Sequence, residues 1–303
     1  MNDPSTTQAV QSASPNRYQS IYRDGLFLGQ VALITGGGTG IGRCIAHELA
    51  ALGAHVVIAG RRPEPLASTV LEIETTGGSA SAATLDIRDQ ASVSATLQDI
   101  VSQHGRLDLL VNNAGGQFMS GAEDIRPKGW RAVIDTNLNG TFWVTQSAFQ
   151  AWMGAHGGSI VSIVADMWNG FPGMSHTGAA RAAVVNLTKT LAVEWAQHGI
   201  RVNAVAPGLI LSSGMKTYPA DVLEMIIPMM KRTPSARLGT EAEVSAAVVY
   251  LLSPAAAFTT GATIRVDGAS SLAKVPMMPL DAHDALPAWS GFHLEADAPD
   301  KLA

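Results

Sequence analysis

The stretch Val31-Ala32-Leu33-Ile34-Thr35-Gly36-Gly37-Gly38-Thr39-Gly40-Ile41-Gly42 decides how the rest of the chain is read. An uninterrupted apolar run stops at a glycine cluster, and a helical pattern opens at once and continues to Leu52. That order predicts a buried strand, a tight turn and a helix packed back on the strand. Gly36 permits the turn, Gly40 lets the backbone approach a pyrophosphate, and Gly42 lets helix and strand close up. The helix N-terminus then offers unpaired N–H groups and a partial positive charge to the phosphates. Gly38, Thr39 and Ile41 complete the cradle. Structural turns use glycine too, and the spacing here is Gly-x3-Gly-x-Gly. The position between strand and helix is what selects nucleotide binding.

Strand-like and helical stretches keep alternating after this turn. Strands are expected at 31–34, 55–59, 81–85, 107–111, 159–164, 201–205 and 262–266, and helices at 40–52, 63–75, 91–104, 128–153, 178–197 and 241–252. Continuous apolar strands between helices predict a parallel sheet covered on both faces. The expected fold is α/β, a single doubly wound (Rossmann-type) parallel sheet of about seven strands with helices on both sides. Residues 1–22, rich in Ser, Thr, Gln and Pro, read as a mobile tail, and 23–273 as one dinucleotide-binding and catalytic domain. Residues 274–303 read as a second tail that docks on the body or on a neighbouring subunit. Segment 209–238 breaks the alternation, with Met215, Met225, Ile226, Ile227, Met229 and Met230 among Pro219, Pro228 and Pro234. It is either a lid over an apolar substrate or a helix packed on the core.

Composition narrows the function. The chain has 303 residues, 47% hydrophobic and 15% charged, with a net charge of −5. This supports a large core and gives no electrostatic case for nucleic acid or an anionic membrane. No apolar stretch is long enough to span a bilayer, no secretory signal is apparent, and no metal site is expected. Cys44 is the only cysteine, which rules out an intramolecular disulfide and suits a reducing, cytoplasmic setting. It reads as a small buried hydrophobe.

The second strand ends Ile58-Ala59-Gly60-Arg61-Arg62. An NAD enzyme carries an acidic residue near this point for the ribose 2′-hydroxyl; here two guanidiniums are available for a 2′-phosphate. The expected cofactor is NADPH. Asp86, after the third strand, is placed either to accept a hydrogen bond from the adenine amino group or to make a turn, and Asp89 to cap the next helix.

These residues, with Asn112-Asn113-Ala114-Gly115, Pro207-Gly208 and Val266-Asp267-Gly268, resemble the short-chain dehydrogenase/reductase family from about residue 25 to 272. The resemblance implies that Asn112 supports the central strand and that Asn113, Ala114, Gly115, Pro207 and Gly208 border the cofactor. It matches Asn137 to the family's active-site asparagine and implies a homotetramer. The family's usual serine and Tyr-x3-Lys are missing. Ala165 or Val164 stands for the serine, Thr177 for the tyrosine and Arg181 for the lysine, and no tyrosine occurs between Tyr22 and Tyr218.

That loss has chemical content. Reducing a ketone puts full negative charge on one oxygen, which a nearby phenol must protonate. Arginine can hold ribose hydroxyls but releases no proton at ordinary pH. Reducing the C=C bond of an enoyl thioester instead spreads charge into an enolate, for which hydrogen-bond donors suffice. Gly115-Gly116-Gln117-Phe118, Lys128-Gly129-Trp130, Gly170-Phe171-Pro172 and His176-Thr177-Gly178-Ala179-Ala180-Arg181 also look like the peroxisomal trans-2-enoyl-CoA reductase branch. Bacterial relatives of that branch with a segment like Asp166-Met167-Trp168 have been linked to citronellol-type terpenoid alcohols.

Asn137 is expected either to orient water or substrate through its amide or to bridge helix backbone, Thr177 either to donate to substrate or to cap its helix, and Arg181 either to hold the nicotinamide ribose or to stand exposed on its helix. Asp166 and His176 are the titratable groups nearest the vacated position, each a candidate proton relay. Lys216, Lys231, Arg232 and Arg237 suit the phosphates of coenzyme A, and the methionines an acyl chain. Three readings follow: an NADPH-dependent reductase of a 2-enoyl-CoA, an alcohol/aldehyde dehydrogenase using another acid, and a nucleotide-binding scaffold without chemistry.

Overall fold

The computed structural model describes residues 16–217, 220–273 and 283–294. Seven parallel strands form the sheet: β1 (Val31–Thr35), β2 (His55–Gly60), β3 (Ser79–Thr84), β4 (Leu109–Asn112), β5 (Gly158–Ile163), β6 (Ile200–Pro207), and an edge strand numbered β9 for its place in the chain (Thr263–Val266). Their order is β3-β2-β1-β4-β5-β6-β9, the expected doubly wound sheet. The chain winds outward from β1 to β3, then crosses back to β4 on the other side of β1. This switch opens a crevice at the strand ends, where α/β sheets bind ligands.

Both faces of the sheet are covered, which is why β1 is apolar without interruption. Ala32 and Ile34 join one core layer with Ile45 and Leu49 of α1 (Gly40–Ala51) and Val244 and Val248 of α9 (Glu241–Leu252). Val31 and Leu33 join the other, with Val93 and Leu97 of α3 (Gln90–His104) and Val144 of α5 (Gly140–Ala148). Leu33, Ile34, Ile45, Leu49 and Leu97 are fully buried, each worth roughly 1.5–3 kcal/mol over an exposed side chain.

Local chemistry sets the helix ends. Pro63 opens α2 (Pro63–Thr75), Asp89 caps α3 by accepting from the N–H groups of Ala91 and Ser92, and Gly105 closes α3 at φ 70°. Thr240 and Glu243 form a capping box at the start of α9. The long helix expected at 128–153 is α4 (Pro127–Ile134), a π-turn (Asp135–Asn139), α5, a second π-turn (Phe149–Met153) and α6 (Gly154–His156). The next helix, α7 (Ser175–Glu194), starts earlier than the expected 178. A further helix, α8 (Ala220–Arg232), and a small parallel pair, β7 (Ile210–Leu211) with β8 (Gly239–Thr240), complete the fold.

Residues 16–22 are packed on the body, unlike the mobile tail expected there, and 283–294 dock on the body, one of the two placements expected for the second tail. Within 16–22, Tyr18 is buried and its hydroxyl donates to Glu48 Oε2 at 3.0 Å, while Ser20 donates to Glu48 Oε1 at 2.7 Å. Residues 283–294 strap across the body. Phe292 packs with Tyr18, Cys44 and Ala242, and Trp289 exchanges hydrogen bonds with Thr240 and Glu243. Cys44 is buried there as expected. Residues 1–15, 274–282 and 295–303 lie outside the described residues. Among the described residues, no helix is long and apolar enough to cross a membrane.

Candidate active site

The glycine turn packs with little space to spare. Gly36 has φ +67° and Gly40 has φ +58°, backbone that favours glycine. A Cβ on Gly37 would meet Ile58 Cγ2 at 2.6 Å, and one on Gly42 would collide with the carbonyl oxygen of Gly36. Gly42 thus brings α1 hard against the turn, as its spacing predicts. Gly38, Thr39 and Gly40, with Arg43, Ser68, Ser213 and Glu241, line a cleft of 330 Å³.

Arg61 and Arg62 follow β2 with exposed side chains. Among the described residues neither makes a hydrogen bond, so both guanidiniums fit a 2′-phosphate. Of the two roles expected for Asp86, the turn is present: its Oδ1 accepts the Arg88 N–H at 3.1 Å. Arg88 grips its carboxylate through Nε at 2.9 and 3.1 Å, and that contact holds the carboxyl below its ordinary pKa. Its oxygens are engaged in a local fork.

Thr35, which the sequence reading passed over, ties the turn to the end of β4. Its hydroxyl accepts the backbone N–H groups of Asn113 and Ala114 at 3.1 and 3.0 Å. Asn113 Nδ2 donates back to the carbonyls of Thr35 and Gly36, both at 3.1 Å. Asn113 therefore shapes the cradle with its side chain. Asn112 Nδ2 reaches Thr145 at 2.8 Å and Ser162 at 3.4 Å, joining β4 to α5 and β5.

Gly115, Asn137 and Arg181 converge. A Cβ on Gly115 would collide with Arg181 Nη2 and lie 2.8 Å from Asn137 Oδ1. Asn137 is fully buried in the first π-turn. Its Nδ2 donates to the carbonyls of Gly116 at 2.6 Å and Val133 at 2.9 Å, and its Oδ1 accepts the Gly116 N–H at 3.2 Å. Both amide protons are spent on backbone. Of the two roles expected for Asn137, these contacts fit the backbone bridge: it latches the loop after β4 to the helix beneath.

Arg181 is buried, and its Nη1 donates to the carbonyl of Ile163 at 2.8 Å. Burial pushes its pKa down to about 10, which leaves it cationic at neutral pH. Thr177 lies inside the first turn of α7, whose N-cap is Met174, so it is not the cap residue. His176 and Thr177 are both fully buried, and burial lowers the His176 pKa. Ser270 Oγ donates to Asp166 Oδ2 at 2.9 Å, and the Asp166 N–H meets the Pro207 carbonyl at 3.3 Å. Gly208 packs on Asp267, with its N–H on the Val266 carbonyl at 2.9 Å.

In segment 209–238, Met215 and Ile226 are buried while Met225, Ile227 and Met229 are exposed. Arg237 is spent at its base, forked onto Glu243 and bonded to the strap carbonyls of Leu286 and Pro287. It is not free for coenzyme A phosphates. The side chains of Lys231 and Arg232, and all of Tyr218 and Pro219, lie outside the described residues.

A glycine cradle at the switch point, with Arg181 beside Gly115 and no carboxylate against it, matches one family. The sequence pattern of the short chain dehydrogenases covers residues 30–222. This chain belongs to the short chain dehydrogenase family. A probable 2,4-dienoyl-CoA reductase of Bacillus subtilis is 39% identical over 250 residues, 82% of this chain and 98% of that protein. The solved citronellol catabolism dehydrogenase of Pseudomonas aeruginosa PAO1 is 50% identical, with a TM-score of 0.76 over 84% of this chain and 100% of that one. A Beutenbergia cavernae protein, described as an NAD(P)-dependent gluconate 5-dehydrogenase and holding NADP at low occupancy, is 36% identical. Its TM-score is 0.75 over 80% of this chain and 97% of that one. The sequence reading looked toward trans-2-enoyl-CoA reductases; the curated relative named here is a 2,4-dienoyl-CoA reductase instead.

Proposed function

We propose that this dehydrogenase-family protein is an NADPH-dependent reductase of a conjugated C=C bond in an unsaturated acyl-CoA, a 2,4-dienoyl or 2-enoyl thioester. One observation carries the reading: Thr177 and Arg181 bring hydrogen-bond donors to the site and, among the described residues, no tyrosine stands beside them. Thr177 and Arg181 occupy the family's acid and base positions, while Tyr18 and Tyr22 are bonded to Glu48 and to the Ala246 carbonyl. Tyr250 sits on α9.

When bound, NADPH supplies a hydride equivalent to the electron-poor end of the conjugated system. The glycine turn holds the pyrophosphate on the α1 N-terminus, and Arg61 and Arg62 hold the 2′-phosphate. Arg181 holds the nicotinamide ribose through donors that Ile163 leaves free. Reduction leaves negative charge spread from the thioester oxygen along the carbon chain. Fixed donors stabilise that oxygen without giving up a proton. Water then protonates carbon, so no phenol is required. The name of the Bacillus subtilis relative supports the thioester.

The citronellol catabolism dehydrogenase, at 50% identity, keeps a terpenoid alcohol or aldehyde as the second reading. A substrate panel separates the two. Purified protein with NADPH should consume 2,4-decadienoyl-CoA or trans-2-decenoyl-CoA and release a product two mass units heavier. Reduction of citronellal by NADPH, or oxidation of citronellol by NADP⁺, with turnover of neither thioester, would overturn the proposal. Inertness toward the whole panel would favour a scaffold.

A further inference from the structure

His176 carries a polar atom that the fold leaves unused. Its Nε2 is fully buried and has no hydrogen-bond partner among the described residues. Its Nδ1 is committed, because the backbone N–H of Thr177 donates to it at 2.8 Å. A neutral imidazole has one donor and one acceptor nitrogen, so the proton resides on Nε2. An unpaired buried donor is costly, and such groups call for an explanation in function.

Among the described residues, the aromatic ring in contact with this imidazole is Phe118. Phe118 meets it nearly edge-on, with centroids 4.4 Å apart and planes at 75°, and remains 40% exposed. A π contact of this kind is weak beside a true acceptor. On its other side Phe118 nests on Gly129, where a Cβ would come within 2.8 Å of its Cζ. The ring follows Gly115-Gly116-Gln117, the loop that Asn137 latches. Thr177, which holds the place of the family's usual acid, is the next residue along α7, with its Oγ1 3.3 Å from His176 Nδ1.

We infer that His176 is a hydrogen-bond donor to the substrate: its Nε2–H, uncovered when an acyl chain displaces Phe118, binds the thioester carbonyl oxygen. The inference rests on the C=C reading above. The imidazole keeps its proton throughout; it stabilises charge on oxygen, and water protonates carbon. Phe118 shields the donor before substrate arrives and gives way to an apolar chain. The tautomer is fixed by the first turn of α7, so the donor is set before substrate binds.

The test compares wild type with His176→Leu and His176→Gln, using NADPH and 2,4-decadienoyl-CoA. His176→Leu should lower kcat by about 10²–10³-fold with KM nearly unchanged, and His176→Gln, whose amide still donates, should recover a large part. Nitrogen-15 NMR of the wild type gives a readout independent of turnover and of variant folding. The free protein should show the Nε2–H tautomer, and NADP⁺ with hexanoyl-CoA should move that proton downfield. An Nδ1–H tautomer, or no movement at saturation, overturns the inference. So does a folded His176→Leu that keeps its kcat while wild type is active, and that result leaves the C=C reading standing. A wild type inert toward every acyl-CoA sinks both.

Discussion

At the scale of single residues, the site works by committing some polar groups to backbone and leaving others open. Asn137, Asn113 and Thr35 are committed, since every contact described for them is to chain that must be held in shape. Arg61 and Arg62 are open, and they carry a direct prediction. Replacing both with alanine should weaken NADPH binding by about tenfold to a hundredfold, the size of a lost charge-assisted contact, and leave NADH binding nearly unchanged. Calorimetric titration with each cofactor checks this. Equal weakening of both would show that the arginines hold no 2′-phosphate. The glycine cradle was legible in the sequence because the turn admits few residue types. The commitment of Asn137 was not, because its partners are the backbone of Gly116, 21 residues away, and of Val133. An asparagine that donates to substrate and one that latches a loop look alike in one dimension.

At the scale of elements, the alternation of strands and helices was readable since each carries its own apolar period. The strap was not. Phe292 and Tyr18 are lone apolar residues in polar stretches, and only their contact with Cys44 and Ala242 shows that they belong to a core. His47 joins this strap to α1, with the Phe292 ring 5.1 Å away and Glu72 Oε2 at 3.1 Å from Nε2. Burial pulls its pKa down to about 4, against a partial rise from the Glu72 hydrogen bond. The unfolded chain then binds the proton more readily than the folded one. Stability from neutral His47 is fully present above about pH 6.5 and is lost as pH falls toward 4, on the order of 3 kcal/mol in all. Urea unfolding of wild type and His47→Gln across this range isolates the contribution. Wild type should lose stability more steeply on acidification; parallel curves would show that His47 does not titrate out of a buried site.

At the scale of the whole molecule, the winding order places the glycine turn, Gly115 and α7 at the same ends of the central strands. The crossing from β3 back to β4 brings the glycine turn beside Gly115. Parallel pairing of β4 with β5 brings the ends of both strands level, Asn112 against Ser162. The loop after β5 then delivers α7 with His176, Thr177 and Arg181 on its first turns. Family membership follows from this frame, but the reaction does not. It is read from donors present without a phenol among them, and so the carbon that receives hydrogen is the decisive fact. The most direct measurement uses NADPH deuterated at the transferring position, with 2,4-decadienoyl-CoA, and locates the label by mass spectrometry and NMR. The account predicts one deuterium on a carbon of the former conjugated system, with the thioester intact. Deuterium on a carbinol carbon formed from the carbonyl, or delivered only to an aldehyde substrate, would contradict it.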